Sequence, residues 1–190
     1  MITEPLSWWI SEFGAIAPIG HGLRHHLPDH WTRFHSLPES KRYAENELEY
    51  SEIVRRQLTI GNELFEIGEP IYVYRSHFWR SQKQARCRRP LAGHLMREKA
   101  VALPIGQSEE FENYNYCVHT LVTSWVPAFF DSLTREVADW KETGVAFVSP
   151  RTKNIYCPYD GGLDIFAFSE PKSSLEGKFK SWMSGREDKL

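Results

Sequence analysis

The chain has 190 residues and a mass of 22.2 kDa, one generous domain by length. A hydrophobic fraction of 41% with 14% aromatic residues excludes a disordered polymer. A formal net charge of −2 excludes a generally basic nucleic-acid coat or a polybasic membrane binder, though not a local patch.

The N-terminus, Met1 to Trp9, has no basic region and carries Glu4, unlike a secretory leader. No apolar run approaches the roughly 18 residues of a spanning helix. Cys87, Cys117 and Cys157 are odd in number and form no C-x-x-C pair, so they read as reduced thiols. Nothing beside Cys157 would lower its pKa. The expectation is a cytoplasmic protein with no membrane contact.

Taken in chain order, residues 5–14 suggest one or two helical turns leading to the loop 17–20. Trp31 to Ser36, bounded by Pro28 and Pro38, alternates as a short strand with Trp31, Arg33 and His35 on one face and Phe34 on the other. From Tyr43 the apolar spacing becomes helical through Tyr50, Ile53, Val54, Ile60, Leu64 and Phe65, predicting a long helix over 43–66. Gly61-Asn62 weakens its end by about 1 kcal/mol. Glu45, Glu49, Glu52 and Glu63 form a solvated face. Ile71 to Tyr74 reads as a strand. Residues 75–99 hold eight Lys or Arg against Glu98 alone and read as a long basic loop.

A short strand at 100–105 and a central strand at 114–125 follow. Val126, Phe129, Phe130, Leu133, Val137 and Trp140 then trace a helical core stripe. Residues 145–148 and 154–157 form a hairpin, 159–162 a turn and 163–168 a third strand. A final helix opens at Pro171 and turns Leu175, Phe179, Trp182 and Met183 inward. The fold class is α+β in a single domain over residues 1–190. An antiparallel sheet with a C-terminal β-meander is covered on one face by the long helix and two further helices.

Five histidines, His21, His25, His26, His30 and His35, fall within fifteen residues. With Asp160 or Asp164 they could hold a divalent metal for hydrolase or nuclease chemistry. Pro28 breaks the one helical spacing, however, and no H-E-x-x-H motif completes the set. Surface or packing imidazoles are the simpler reading, and no cofactor is expected. Arg33, His35, Lys41 and Arg42 gather before the long helix, whose start Ser36 or Ser40 could cap. There they could hold a phosphate or carboxylate, or pair with each other and with helix acids.

Asp160-Gly161-Gly162 reads as a turn with glycines at positive φ. Asp164 in an apolar strand needs a partner such as Arg151 or Lys153. Trp79, Arg80, Arg86, Arg88 and Arg89 combine base-stacking and phosphate-binding side chains suited to nucleic acid or a protein interface. A simpler partner is the protein's own acidic stretch, where Glu45, Glu47, Glu49, Glu52, Glu63, Glu66 and Glu69 are concentrated. No Walker loop, G-x-G-x-x-G or G-x-S-x-G occurs.

Three segments carry a resemblance. They are Trp31-Thr32-Arg33-Phe34-His35-Ser36-Leu37-Pro38-Glu39-Ser40-Lys41-Arg42-Tyr43, Tyr156-x-Pro158-Tyr159-Asp160-Gly161-Gly162-x-Asp164-Ile165, and Phe179-Lys180-x-Trp182. Together they resemble a family of small stand-alone bacterial proteins known only as a domain of unknown function. The likeness covers the N-terminal third and the last fifty residues, while the basic segment between looks idiosyncratic. It implies an intracellular bacterial domain and transfers no activity. By analogy of style, some such proteins are immunity partners of secreted toxins. With no catalytic signature and many Trp, Tyr and Arg, the leading expectation is a non-enzymatic protein-binding module, immunity-type or regulatory.

Overall fold

The computed structural model describes residues 4–79, 101–102 and 115–186. Among them seven strands pair into one antiparallel sheet. They are β1 (Trp31–His35), β2 (Pro70–Trp79), β3 (Val101–Ala102), β4 (Asn115–Ser124), β5 (Val145–Val148), β6 (Ile155–Tyr159) and β7 (Gly162–Phe166). Their spatial order is β1-β7-β6-β5-β2-β4-β3. The meander β5-β6-β7 stands as expected, and β1 closes one edge by pairing Arg33 with Asp164 and His35 with Gly162.

Helices cover both faces of the sheet, not one. Strand alternation explains why: Ile71, Val73, Phe147, Tyr156 and Ile165 point one way, Tyr72, Tyr74, Val148, Cys157 and Phe166 the other. The first set packs under α3 (Glu47–Leu64), α4 (Pro127–Ala138) and α5 (Lys172–Lys178). The second packs against Trp9 of α1 (Glu4–Phe13) and Leu23 of α2 (Gly20–His26). Helix α2, rich in Gly and His, shows almost no apolar periodicity, so its spacing predicts no helix there.

The boundaries shift in informative ways. Asn46 caps α3, its Oδ1 accepting from the N–H groups of Leu48 and Glu49, so neither Ser36 nor Ser40 does so. Pro38–Ser40 is instead a separate 3-10 turn, with Glu39 at φ 55° and Ser40 at φ 58°. Helix α4 stops at Ala138, and Trp140 leaves the core stripe altogether. After α5, a 3-10 turn at Lys180–Trp182 carries Trp182, which stacks on Phe179 with ring centroids 4.8 Å apart.

Gly61, read as a weak point, is where the fully buried Trp125 indole lies on α3. A Cβ on Gly61 would fall 2.4 Å from the indole Cζ2. Neighbouring Asn62 accepts the indole N–H at 2.8 Å. The glycines after Asp160 do not adopt positive φ. Gly162 is required by close approach, since a Cβ there would sit 2.1 Å from the Phe34 carbonyl oxygen across the β1–β7 pair.

The expected basic loop begins as strand: residues 75–79 belong to β2, and Arg75 is buried on Glu142, 2.5 Å away. Arg75 is therefore withdrawn from any phosphate-binding surface. The acidic stretch around α3 finds its cations elsewhere as well. Lys41 takes Glu45 and Glu49, Arg135 takes Glu47, Arg55 and Arg56 take Glu52, Lys178 takes Glu63, and Arg151 takes Glu66 and Glu69. Residues 80–99, the partner expected for that face from sequence, lie outside the described part of the chain.

The Arg55 fork and Arg56, working against burial, hold the Glu52 carboxyl down at about 2. Because the folded pKa lies below the unfolded one, this pair's stabilisation is complete above the ordinary Glu value. It is lost as pH falls toward about 2. The urea midpoint should accordingly drop between about pH 6 and pH 3, and drop less in Glu52→Gln. Equal acid sensitivity in the two proteins would remove Glu52 from the explanation.

Candidate functional site

Antiparallel pairing brings the end of β1, the end of β6 and the starts of β5 and β7 to one end of the sheet. Gln57 of α3 ties that end together from beneath. Its side-chain amide donates to Ser36 Oγ at 2.9 Å, and its Oε1 accepts from the Tyr156 hydroxyl at 3.2 Å.

Three arginine–carboxylate pairs are built there. Arg33 donates from Nε and Nη2 to the two oxygens of Asp164 at 2.7 and 2.8 Å, and the Trp31 indole N–H adds a third bond at 2.9 Å. Both partners of this pair are buried, and its geometry is the two-pronged fork that suits Arg to carboxylate. Asp164 thus finds a β1 neighbour instead of Arg151 or Lys153, because the register sets the two side chains across from each other on one face.

Arg42 donates from Nε and Nη2 to Asp160, which also accepts the Trp140 indole N–H at 2.5 Å. Burial would raise the Asp160 carboxyl, but these bonds outweigh it and hold the group below the usual range. In the third pair, Arg75–Glu142, burial wins and pushes Glu142 upward against the attraction of Arg75. Glu142 Oε2 and Arg75 Nη1 are buried without a hydrogen-bond partner.

Two clefts flank the Arg33–Tyr159–Arg42 wall. The first, about 470 Å³, is lined by Glu142, Asp160 and Asp164 together with His21, Cys157, Val145 and Trp140. The second, about 690 Å³, is lined by His35, Glu39, Ser40, Trp182 and Arg186. Arg33, Arg42 and Tyr159 face both. Burial raises the Cys157 thiol well above its ordinary value, and it pushes the Tyr159 hydroxyl up to about 12. Neither is an activated nucleophile at neutral pH.

Of the four predicted anion-binding residues, Arg33, His35 and Arg42 meet at the second cleft. Lys41 does not: its ammonium is drawn onto Glu49 at 2.7 Å and Glu45 at 3.1 Å. The predicted metal set does not assemble. His30 bonds the Ala167 carbonyl and stacks on Phe168, and His25 accepts from Arg24. His26 is exposed at the end of α2, and His21 and His35 line different clefts. Asp160 and Asp164 are taken by arginines. Among the described residues, no group of three His, Cys, Asp or Glu side chains is placed to hold a metal ion.

Arg80, Arg86, Arg88 and Arg89, and the side chain of Trp79, lie outside the described part of the chain. Sequence reasoning overlooked Glu142, Tyr159, Trp140 and Arg186. Trp140 was hidden by its helical spacing. Its φ is +59°, and 58% of its surface is exposed at the mouth of the first cleft. No local pattern marked Glu142 or Arg186.

No helix of the described residues is long and apolar enough to cross a membrane. No curated protein and no solved structure matches the chain. Residues 19–187 match the family described as a domain of unknown function (DUF3885), and the match spans the basic segment that looked idiosyncratic. Since the match takes in both clefts and every element from β1 to the turn at Trp182, the chain belongs to the DUF3885 family.

Proposed function

We propose that this protein is a non-enzymatic binding module of the bacterial cytoplasm, the immunity-type or regulatory partner of another protein. The observation that carries the reading is Trp140. A bulky side chain in the left-handed region costs free energy, of order 1–3 kcal/mol, and persists only where its surroundings impose it. Here the bond to Asp160 holds the indole out toward solvent. Tyr43, 50% exposed, and the half-exposed Arg42 stand beside it, the Arg42 guanidinium 5.6 Å from the Tyr43 ring and 5.8 Å from the Trp140 ring.

Trp, Tyr and Arg clustered and pre-positioned are the usual energetic centre of a protein interface. The cleft below supplies the complement for an inserted side chain. Each of its three carboxylates is paired with an arginine, but Glu142 Oε2 lacks a donor, so an N–H-bearing anchor fits it best.

The test compares tagged wild-type chain with Trp140→Ala and Tyr43→Ala recovered from the native host. Wild type should retain one protein in stoichiometric amount, and Trp140→Ala should lose about 2 kcal/mol or more of affinity for it. Circular dichroism should show both variants folded. If no stoichiometric partner is retained, or if Trp140→Ala holds it as tightly, the reading fails.

A further inference from the structure

The second cleft has a charge balance that the protein-docking reading leaves unused. Its size, about 690 Å³, is that of a small-molecule site. Among the described residues, Arg33 and Arg42 line it with Glu39, while the aspartates that orient the two arginines line the other cleft. Both of those guanidiniums give Nε and Nη2 to their aspartate, so Nη1 of each lies outside the pair. An arginine fork already held in place loses little further freedom when it donates again.

His35 is the second, independent observation. It lies two residues beyond Arg33 on the same face of β1 and is only 8% exposed, and its Nε2 is buried with no hydrogen-bond partner. An unpaired buried nitrogen is unfavourable and rare, and a bound ligand atom would satisfy it. Burial, followed by the nearby Arg33 and Arg56 charges, lowers the His35 pKa, so the ring is neutral and brings one N–H donor. Residues from three separate parts of the chain meet at this cleft: Arg33 to Arg42, Tyr159 with Gly161, and Trp182.

We propose that this cleft binds a small organic oxyanion, a compound carrying a carboxylate or a phosphate. The group is held between the Nη1 edges of Arg33 and Arg42 and the His35 imidazole, and Trp182 provides an apolar wall. The site shares Arg42 with the Trp140 and Tyr43 surface, but His35 and Trp182 line only this cleft, and the proposal does not depend on the protein-docking reading.

The experiment titrates purified full-length chain with inorganic phosphate, phosphoserine and citrate by calorimetry. At least one should bind with Kd below about 1 mM. Tighter phosphoserine than citrate assigns a phosphate ligand, and the reverse order a carboxylate. Arg42→Ala should weaken binding about tenfold or more, and Lys41→Ala, whose ammonium is held outside both clefts, should leave it unchanged. Saturation should shift the His35 imidazole nitrogen resonances in the wild-type chain, a readout that holds even if Arg42→Ala fails to fold.

Three results overturn the proposal. One is no probe binding tighter than about 1 mM. Another is equal weakening by Arg42→Ala and Lys41→Ala. The third is a saturated protein whose His35 resonances have not moved.

Discussion

Asp164→Ala should lower stability by about 3–5 kcal/mol, because it strands the Arg33 guanidinium in a site only 9% exposed. Removing one partner of a buried pair costs far more than the pair itself contributes, since the remaining charge has neither water nor counter-ion. The Trp31 indole N–H loses its acceptor at the same time. A double variant, Arg33→Met with Asp164→Leu, should recover most of the loss, as volume-matched apolar pairs commonly do. Urea unfolding of the three proteins at neutral pH measures both effects. An Asp164→Ala chain within about 0.5 kcal/mol of wild type would show that the pair is not buried in solution.

Trp125→Ala should cost a similar amount, about 3–5 kcal/mol, by a different mechanism. The indole is fully buried at the junction of β4 and α4, stacked on Phe130 at 4.6 Å and flanked by Phe65 at 5.1 Å and Tyr156 at 6.0 Å. Its removal opens a cavity between α3 and the sheet and leaves Asn62 Oδ1 without its donor. Trp125→Phe should keep about half of the lost stability, since it refills much of the volume but cannot make the hydrogen bond. Thermal unfolding distinguishes the two: equal midpoints for the Ala and Phe variants would mean that the indole N–H, and not packing, dominates.

Charged groups at this end of the sheet stand in the pairs Arg33–Asp164, Arg42–Asp160 and Arg75–Glu142. The carboxylates of these pairs, Asp164, Asp160 and Glu142, line only the first cleft, whereas Arg33 and Arg42 line both. Side chains already held in pairs lose little further freedom when they make another contact.

Local pattern determined a good deal. Period-two alternation in Trp31–His35 put Arg33 and His35 on one face, and the turn residues at 149–153 and 160–161 set the meander. The three-to-four spacing from Tyr50 to Leu64 marked the core face of α3. These features depend on neighbours a few residues apart, so sequence alone could display them.

What only the fold decided depends on distance in sequence. Which carboxylate meets Arg33 follows from strand register across 131 residues, and whether Gly61 weakens a helix or admits an indole follows from where Trp125 lands. Trp140 has the spacing of a buried residue and ends exposed, because α4 stops two residues earlier and Asp160 holds the ring outward. Propensity and periodicity specify which surfaces must be buried. Packing specifies which partner buries them, and only packing could bring Arg33, His35 and Arg42 to one cleft and leave Lys41 outside it.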